Sequence, residues 1–272
     1  MKKIFELTNK YIIIATPLLL FLFFLSIYLF VIMQSGRLLI ILFGLFLVAV
    51  MIVAFTAGWG NMVKSAASEN NPDEPYLIIK DFAPGVGEYF LPSLGFWGIS
   101  FAINTLFLIL AYVAGMHFIG DVGISADGLT KAMASNAALK EFLTSLSTTQ
   151  LMKLKMWNLL ILSVMGLVYF LLLFYAPAVF LENKNPFKAL FLSLKHTFSK
   201  SFFSVLGIYI LIFGTNFFIS ILSAFFAGNI VMSFVMTLVN FYFICLVVVG
   251  IFYYYLKTFI DSHLGNTIDT YV

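Results

Sequence analysis

Six long runs of apolar residues, separated by shorter polar stretches, dominate the pattern along this chain. They cover residues 11–33, 38–59, 92–116, 155–181, 202–227 and 230–256. Each meets the length of about 20 apolar residues that a helix needs to cross the hydrocarbon of a bilayer. Inside them no Asp, Glu, Lys or Arg occurs except Lys155 at the edge of the fourth. A charge at the centre of a membrane helix costs ~2.5–3.5 kcal/mol on insertion scales, so uncharged runs of this length are the signature of lipid-facing helices. The pattern predicts an all-α polytopic integral membrane protein with six transmembrane helices in a single membrane domain. Met1-Lys2-Lys3 ahead of the first run resembles the start of a signal sequence. The run is about twice the length of a usual signal core and its exit has no small-x-small site, so it reads as a retained span.

The stretches between the runs carry their own periodicity. In 60–91, a turn-rich start, Asn70-Asn71-Pro72-Asp73-Glu74-Pro75, precedes Ile79, Phe82, Ala83, Val86, Tyr89 and Phe90 at helical spacing. An interfacial helix over about 76–90 is expected, weakened by Gly85 and Gly87. In 184–200, Asn185 suits an N-cap and Pro186 a first helical turn. Phe187, Leu190, Phe191, Leu194 and Phe198 then form one apolar stripe flanked by Lys184, Lys188 and Lys195. A short basic amphipathic helix over about 185–200 lying in the membrane plane is expected, with its lysines reaching toward lipid phosphates. The loop 117–154 has Leu139, Phe142, Leu143 and Leu146 at helical spacing, which predicts one or two short helices on the other membrane face.

Composition agrees with the pattern: 62% of the 272 residues are hydrophobic and 10% charged, against roughly 25% charged in a soluble domain. The net charge of +3 implies no nucleic-acid partner. The distribution of charge says more than its sum. With the N-terminus inside, ten of the 15 Lys and Arg fall on inner segments and five on outer ones. This bias places both termini in the cytoplasm. The single cysteine, Cys245, leaves no intrachain disulfide and no multi-cysteine metal site.

Two motifs carry a likeness. Phe-x-x-x-Leu-Gly-apolar-aromatic opens both the third and the fifth runs, at Phe90–Trp97 and Phe202–Tyr209. Whether 38–116 and 155–227 are copies of one unit is left open by so short an echo. The stretch Tyr175-Ala176-Pro177-Ala178-Val179-Phe180-Leu181-Glu182, continuing through Asn185-Pro186-Phe187-Lys188-Ala189-Leu190 to Ser193, resembles the membrane domain of bacterial glycerophosphodiester phosphodiesterases and its stand-alone relatives. Lys80-Asp81-Phe82 through Gly87-Glu88-Tyr89-Phe90 resembles the first-half pattern of that family, from which Ala83 and Pro84 depart. The resemblance implies a six-span bacterial inner-membrane protein. It does not imply phosphodiesterase activity, because in those relatives the chemistry belongs to a separate soluble barrel and only 15 residues follow Lys257.

The search for chemistry is mostly negative. His117, His196 and His263 lie in three different segments, and no zinc-protease, nucleophile-elbow, P-loop or dinucleotide motif occurs. Asp73, Glu74, Asp81 and Glu88, and separately Asp121 and Asp127, match no cation-loop spacing and read as solvated surface. Asn104, Asn158, Asn216 and Asn240 are the candidate polar contacts inside the membrane, and Lys184, Lys188 and Lys195 the candidate headgroup contacts. The expected function is therefore that of a non-enzymatic membrane protein, without a cofactor. It would be accessory, regulatory or lipid-interacting, with membrane lipids or another membrane protein as partner. The alternative is a transporter or permease component for a small apolar or amphipathic molecule, which convergence of the four asparagines on one cavity would favour.

Overall fold

The structure, a computed structural model, describes residues 2–69, 73–132 and 135–261. All its regular structure among those residues is helical, and six helical stretches are long and apolar enough to cross a membrane: Ile12–Gln34, Leu38–Ala67, Pro75–Phe118, Thr148–Glu182, Phe202–Phe226 and Ile230–Ile260. Within the most apolar window of each, only 11–22% of residues are buried. So much exposed hydrocarbon is tolerable in lipid and not in water. The chain is an all-α, multi-pass membrane protein.

Contacts divide the chain into two compact units, Met1–Ile99 with Leu171–Val272, and Ser100–Phe170. In the first, α1 (Lys2–Lys10) is a short amphipathic helix that buries Leu7 and Thr8 and leads through a 3-10 turn, Ile12–Ile14, into α2 (Ala15–Gln34). The Trp59 indole N–H donates to the Ile14 carbonyl at 3.0 Å and ties that turn to α3 (Leu38–Ala67). Lys3 pairs with Glu69 at 3.0 Å, and the Tyr242 hydroxyl donates to Asn9 at 2.8 Å, so α1 is fastened at both ends.

Residues Pro75–Asp81 form a 3-10 helix that feeds directly into α4 (Phe82–Phe118). The expected separate interfacial helix 76–90 is thus corrected: its second half is the start of the third span. The reason lies in Gly58 and Gly85. A Cβ on Gly85 would sit 2.5 Å from Cβ of Asn61, and one on Gly58 would sit 2.8 Å from the Phe82 carbonyl oxygen. The glycines that weaken a helix in isolation here let α3 and α4 touch, and Asn61 donates to the Asp81 carbonyl at 2.9 Å to hold the junction. Pro92 sits inside α4 without ending it. The Asn70-Asn71-Pro72 turn lies outside the described residues.

The fourth span is also revised. Helix α7 (Thr148–Leu171) stops, a turn follows, and a short turn of helix α8 (Tyr175–Pro177) passes into a π-helical segment, Ala178–Glu182. Irregular backbone at membrane depth survives only where protein covers it. Phe174, Tyr175, Ala178 and Val179 are accordingly fully buried. Helix α9 (Pro186–Thr197) follows, then α10 (Phe202–Phe226), α11 (Ile230–Tyr255) and a terminal π-helical segment Leu256–Ile260.

In the second unit, the end of α4 and the bulk of α7 flank two short helices, α5 (Ala126–Ala132) and α6 (Asn136–Ser145), in agreement with the expected helical loop. Lys153 donates to the Asp121 carbonyl at 2.6 Å and Trp157 to that of Gly120 at 3.1 Å. Gly115 leaves room for the Trp157 ring, which a Cβ there would meet at 2.2 Å.

Candidate functional site

Around the broken end of the fourth span, within the first unit, acidic, basic and aromatic polar side chains gather. The break turns Tyr175 toward Phe96 (ring centroids 4.8 Å) and Phe180 toward Tyr89 (4.7 Å). Phe180 reaches that place because residue 60 is glycine: a Cβ there would stand 2.3 Å from the ring. The backbone then leaves the π-helical segment at Glu182. Asn185 caps α9, its side-chain oxygen accepting from the amides of Phe187 (3.0 Å) and Lys188 (3.2 Å), with Pro186 in the first turn. The expected capping residues of this helix are those observed.

Glu182 is the first focus. One of its carboxylate oxygens, Oε2, accepts from the Tyr255 hydroxyl and lies 3.1 Å from Nε2 of His196. A carboxylate only accepts, so Nε2 carries the proton. The imidazole is nearly buried, stacked on Phe259 at 4.4 Å and edge-on to Tyr255 at 5.3 Å. One carboxylate therefore joins the end of the fourth span, α9 and the end of α11. Burial makes such a network costly to leave half made.

A cleft of about 190 Å³ is the second focus, lined by Lys64, Glu88, Tyr89, Glu182, Asn183, Lys184 and the 179–181 backbone stretch. The Lys64 ammonium donates to the Tyr89 hydroxyl at 2.7 Å, and that hydroxyl donates to the Phe180 carbonyl at 3.2 Å. Lys184 pairs with Glu88 at 2.7 Å. Both ammoniums lie 5.2 Å from the centre of the Tyr89 ring, within cation–π range. The hydrogen bond to Glu88 holds the Lys184 pKa above its ordinary value.

As chemistry, a Glu–His–Tyr contact and two lysines offer proton donors and an anion subsite. They do not assemble a nucleophile beside a base, and no group of three His, Cys, Asp or Glu suited to a metal ion occurs among the described residues. Three hydroxyls, Ser93, Tyr175 and Ser193, are fully buried and without a hydrogen-bond partner.

The residues singled out in the sequence distribute unevenly around this site. Lys184 lines the cleft and pairs with Glu88. Lys188 and Lys195 are exposed on α9. Asn240 donates to Ser223 on α10 at 3.3 Å and to its own helix at Met236, while Asn104 donates to the Ser100 carbonyl of its own helix at 2.8 Å. Asn158 and Asn216 are exposed. None of the four lines the cleft, nor the two apolar grooves between α10 and α11 and between α2 and α3. His263 lies outside the described residues.

No family model, no curated protein and no solved structure matches this chain. Its site stands on its own geometry. Sequence reading found Glu182 only as a motif letter and took His196 as isolated. The pairing spans 14 residues to His196 and 73 to Tyr255, and no local spacing announces it.

Proposed function

We propose that this protein is a non-enzymatic component of the cell membrane, both termini cytoplasmic, that acts through contacts with lipids or with another membrane protein. The observation that carries the reading is the way α9 is mounted. It buries its small and polar face, Ala189, Ser193, His196 and Thr197, against the protein. It turns Phe187, Phe191 and Phe198 outward, each more than half exposed, with Lys188, Lys195 and Lys200 also exposed. A helix held this way offers hydrophobic anchors and cations to a bilayer surface rather than to its own core. The excess of Lys and Arg on the segments at this end supports a cytoplasmic, anionic leaflet as the surface it meets. The likeness of 175–193 to the membrane domain of bacterial phosphodiesterases supports the same role, a membrane module without chemistry of its own.

The test is hydrogen exchange of α9 in the full chain, reconstituted into nanodiscs with neutral or with anionic lipid. Greater protection in the anionic bilayer is expected, and Lys188→Gln with Lys195→Gln should remove the difference. Equal protection in both bilayers would defeat the reading.

A second reading, a facilitator for a small amphipathic molecule, draws on one specific feature, the interruption of the fourth span between Leu171 and Tyr175. Discontinuous helices build substrate sites in transporters. Liposome flux of such a molecule, abolished by substitution at the break, would favour it over the first reading.

A further inference from the structure

The cleft beside Tyr89 contains a cation, Lys64, that makes no direct ion pair among the described residues, although Glu88 in the same lining acts on it at longer range. Lys64 lies in the last turn of a membrane-spanning helix and is half-buried. Its hydrogen bond goes to a neutral hydroxyl, that of Tyr89. Among the described residues no carboxylate lies within ion-pair distance of it, whereas Lys3, Lys184 and Lys257 each have one. Charges in such positions are kept where something pairs with them. The ammonium has three donors, of which the tyrosine uses one.

The walls of the cleft narrow the class of anion. Lys64 and Lys184 each hold their ammonium 5.2 Å from the centre of the Tyr89 ring, so two ammoniums line one opening. Glu88 and Glu182 line the same opening. They repel a second negative charge, which disfavours a dianionic phosphate monoester and tolerates a singly charged diester. Val179, Phe180, Leu181 and Asn183 complete the lining. Phe187, in the first turn of the helix that follows the lining residue Lys184, is 64% exposed. In a multi-pass membrane protein, an anion that brings apolar tails is a membrane lipid.

We propose that this cleft binds the phosphodiester of one membrane phospholipid, its phosphate seated on Lys64 with Lys184 beside it. The proposal rests on the lipid-contact reading above and sharpens it from a surface property to a site of defined stoichiometry and headgroup charge. The shared chemistry is a monoanionic phosphodiester, and the source is the lipid rather than a soluble ester.

The experiment is native mass spectrometry of the full chain, delipidated in detergent and titrated with phosphatidylglycerol or with phosphatidic acid of the same acyl chains. Expected is one tightly retained phosphatidylglycerol, bound more tightly than phosphatidic acid. Lys64→Gln should weaken it by on the order of tenfold or more, the loss of one charge-assisted contact. Lys64→Arg should retain it, and Lys195→Gln on α9 should leave that single site unchanged. Dimethyl phosphate, a soluble monoanionic diester, should not displace the lipid. Displacement at comparable concentration would reassign the cleft to free anions. Tighter binding of phosphatidic acid than of phosphatidylglycerol, or Lys64→Gln within twofold of the parent, would overturn the proposal. If Lys64→Gln yields no folded protein, Glu88→Gln decides: it should narrow the preference for the diester, and an unchanged preference counts against the site. A parent protein that binds neither lipid above background removes the lipid-contact reading too. One that binds the diester regardless of Lys64 removes only the cleft.

Discussion

Helix α3 contains two regions of opposite surroundings. From Leu38 to Phe46 its large side chains stand in the open, with Leu39 at 80% exposure and Phe43 at 64%. From Val53 to Ala67 it is enclosed: Ala57, Met62, Val63 and Ala66 have no exposed surface. The open half is wholly apolar while the enclosed half carries Thr56, Asn61, Lys64 and Ser65, so hydrophobicity did not choose which half is covered. What differs is side-chain size and neighbours. The enclosed half has Ala57, Gly58, Gly60, Ala66 and Ala67, and against it lie the 3-10 helix before α4, Phe180 and α11. In lipid there is no hydrophobic gain from bringing helices together, so close packing of small residues and internal polar bonds must do it. Along α3 it is the small-residue end that the rest of the first unit encloses.

Glycine substitutions break the comparison most sharply. Gly60→Val should destabilise by about 3 kcal/mol or more, since even a Cβ would lie 2.3 Å from the enclosed Phe180 ring. Gly207→Val, on the open face of α10 where a Cβ meets nothing within 4 Å, should fall within about 0.5 kcal/mol of the parent. Thermal aggregation followed by size exclusion in detergent measures both. Equal losses at the two positions would mean that the α10 face is covered and that the two regions do not differ as described.

Next in size is the Glu182 network. Glu182→Ala leaves the buried Tyr255 hydroxyl and His196 ring without their acceptor and should cost about 2 kcal/mol. Tyr255→Phe removes one of the two donors and should cost less. In a double-mutant cycle the two changes should couple by at least about 0.5 kcal/mol. Strict additivity would show that Glu182 and Tyr255 do not act together in the membrane.

The spans were legible because their signal is a sum over 20 or more residues that no local exception cancels. All six appear, and the Asn185 cap and the exposed phenylalanine stripe of α9 are where periodicity placed them. What sequence reading missed are contacts decided by shape across distance. Gly85 reads as a helix breaker until α3 lies against it, so the boundary at 76–90 moved. The end of the fourth span reads as a plain helix because Phe174, Tyr175 and Phe180 are as apolar as any lipid-facing residue. Their burial at the break follows from residues on other helices: Phe96 for Tyr175, Gly60 and Tyr89 for Phe180, and Tyr254, Tyr255 and Phe259 for Phe174. Tyr255 closes a Tyr253-Tyr254-Tyr255 run that fits an interfacial belt, and only the fold turns the last of the three inward to Glu182.

Asn240 tests the sparsely packed region from the other side. Its bond to Ser223 joins α10 and α11 well away from the enclosed end. Asn240→Leu should cost about 0.6 kcal/mol, the average of such intramembrane hydrogen bonds. A loss comparable to that of Glu182→Ala would locate a second anchor among the open helices.

The smallest effect is expected at the rim of the cleft, where Lys184 meets Glu88. Both side chains are substantially exposed, so solvent screens the pair and Lys184→Gln should barely move the unfolding midpoint at neutral pH. Its pH dependence is more informative than its size. The hydrogen bond to Glu88 raises the Lys184 pKa above its ordinary 10.5, so the contribution of the lysine is complete below that value and fades only as pH climbs through the higher folded value. The difference in midpoint between parent and Lys184→Gln should therefore stay constant from neutral pH into the alkaline range and shrink only above pH 10.5. If it vanished between neutrality and pH 9, the charge on residue 184 would not be what joins α4 to the segment ahead of α9. The pair would then belong with the open face rather than with the enclosed one.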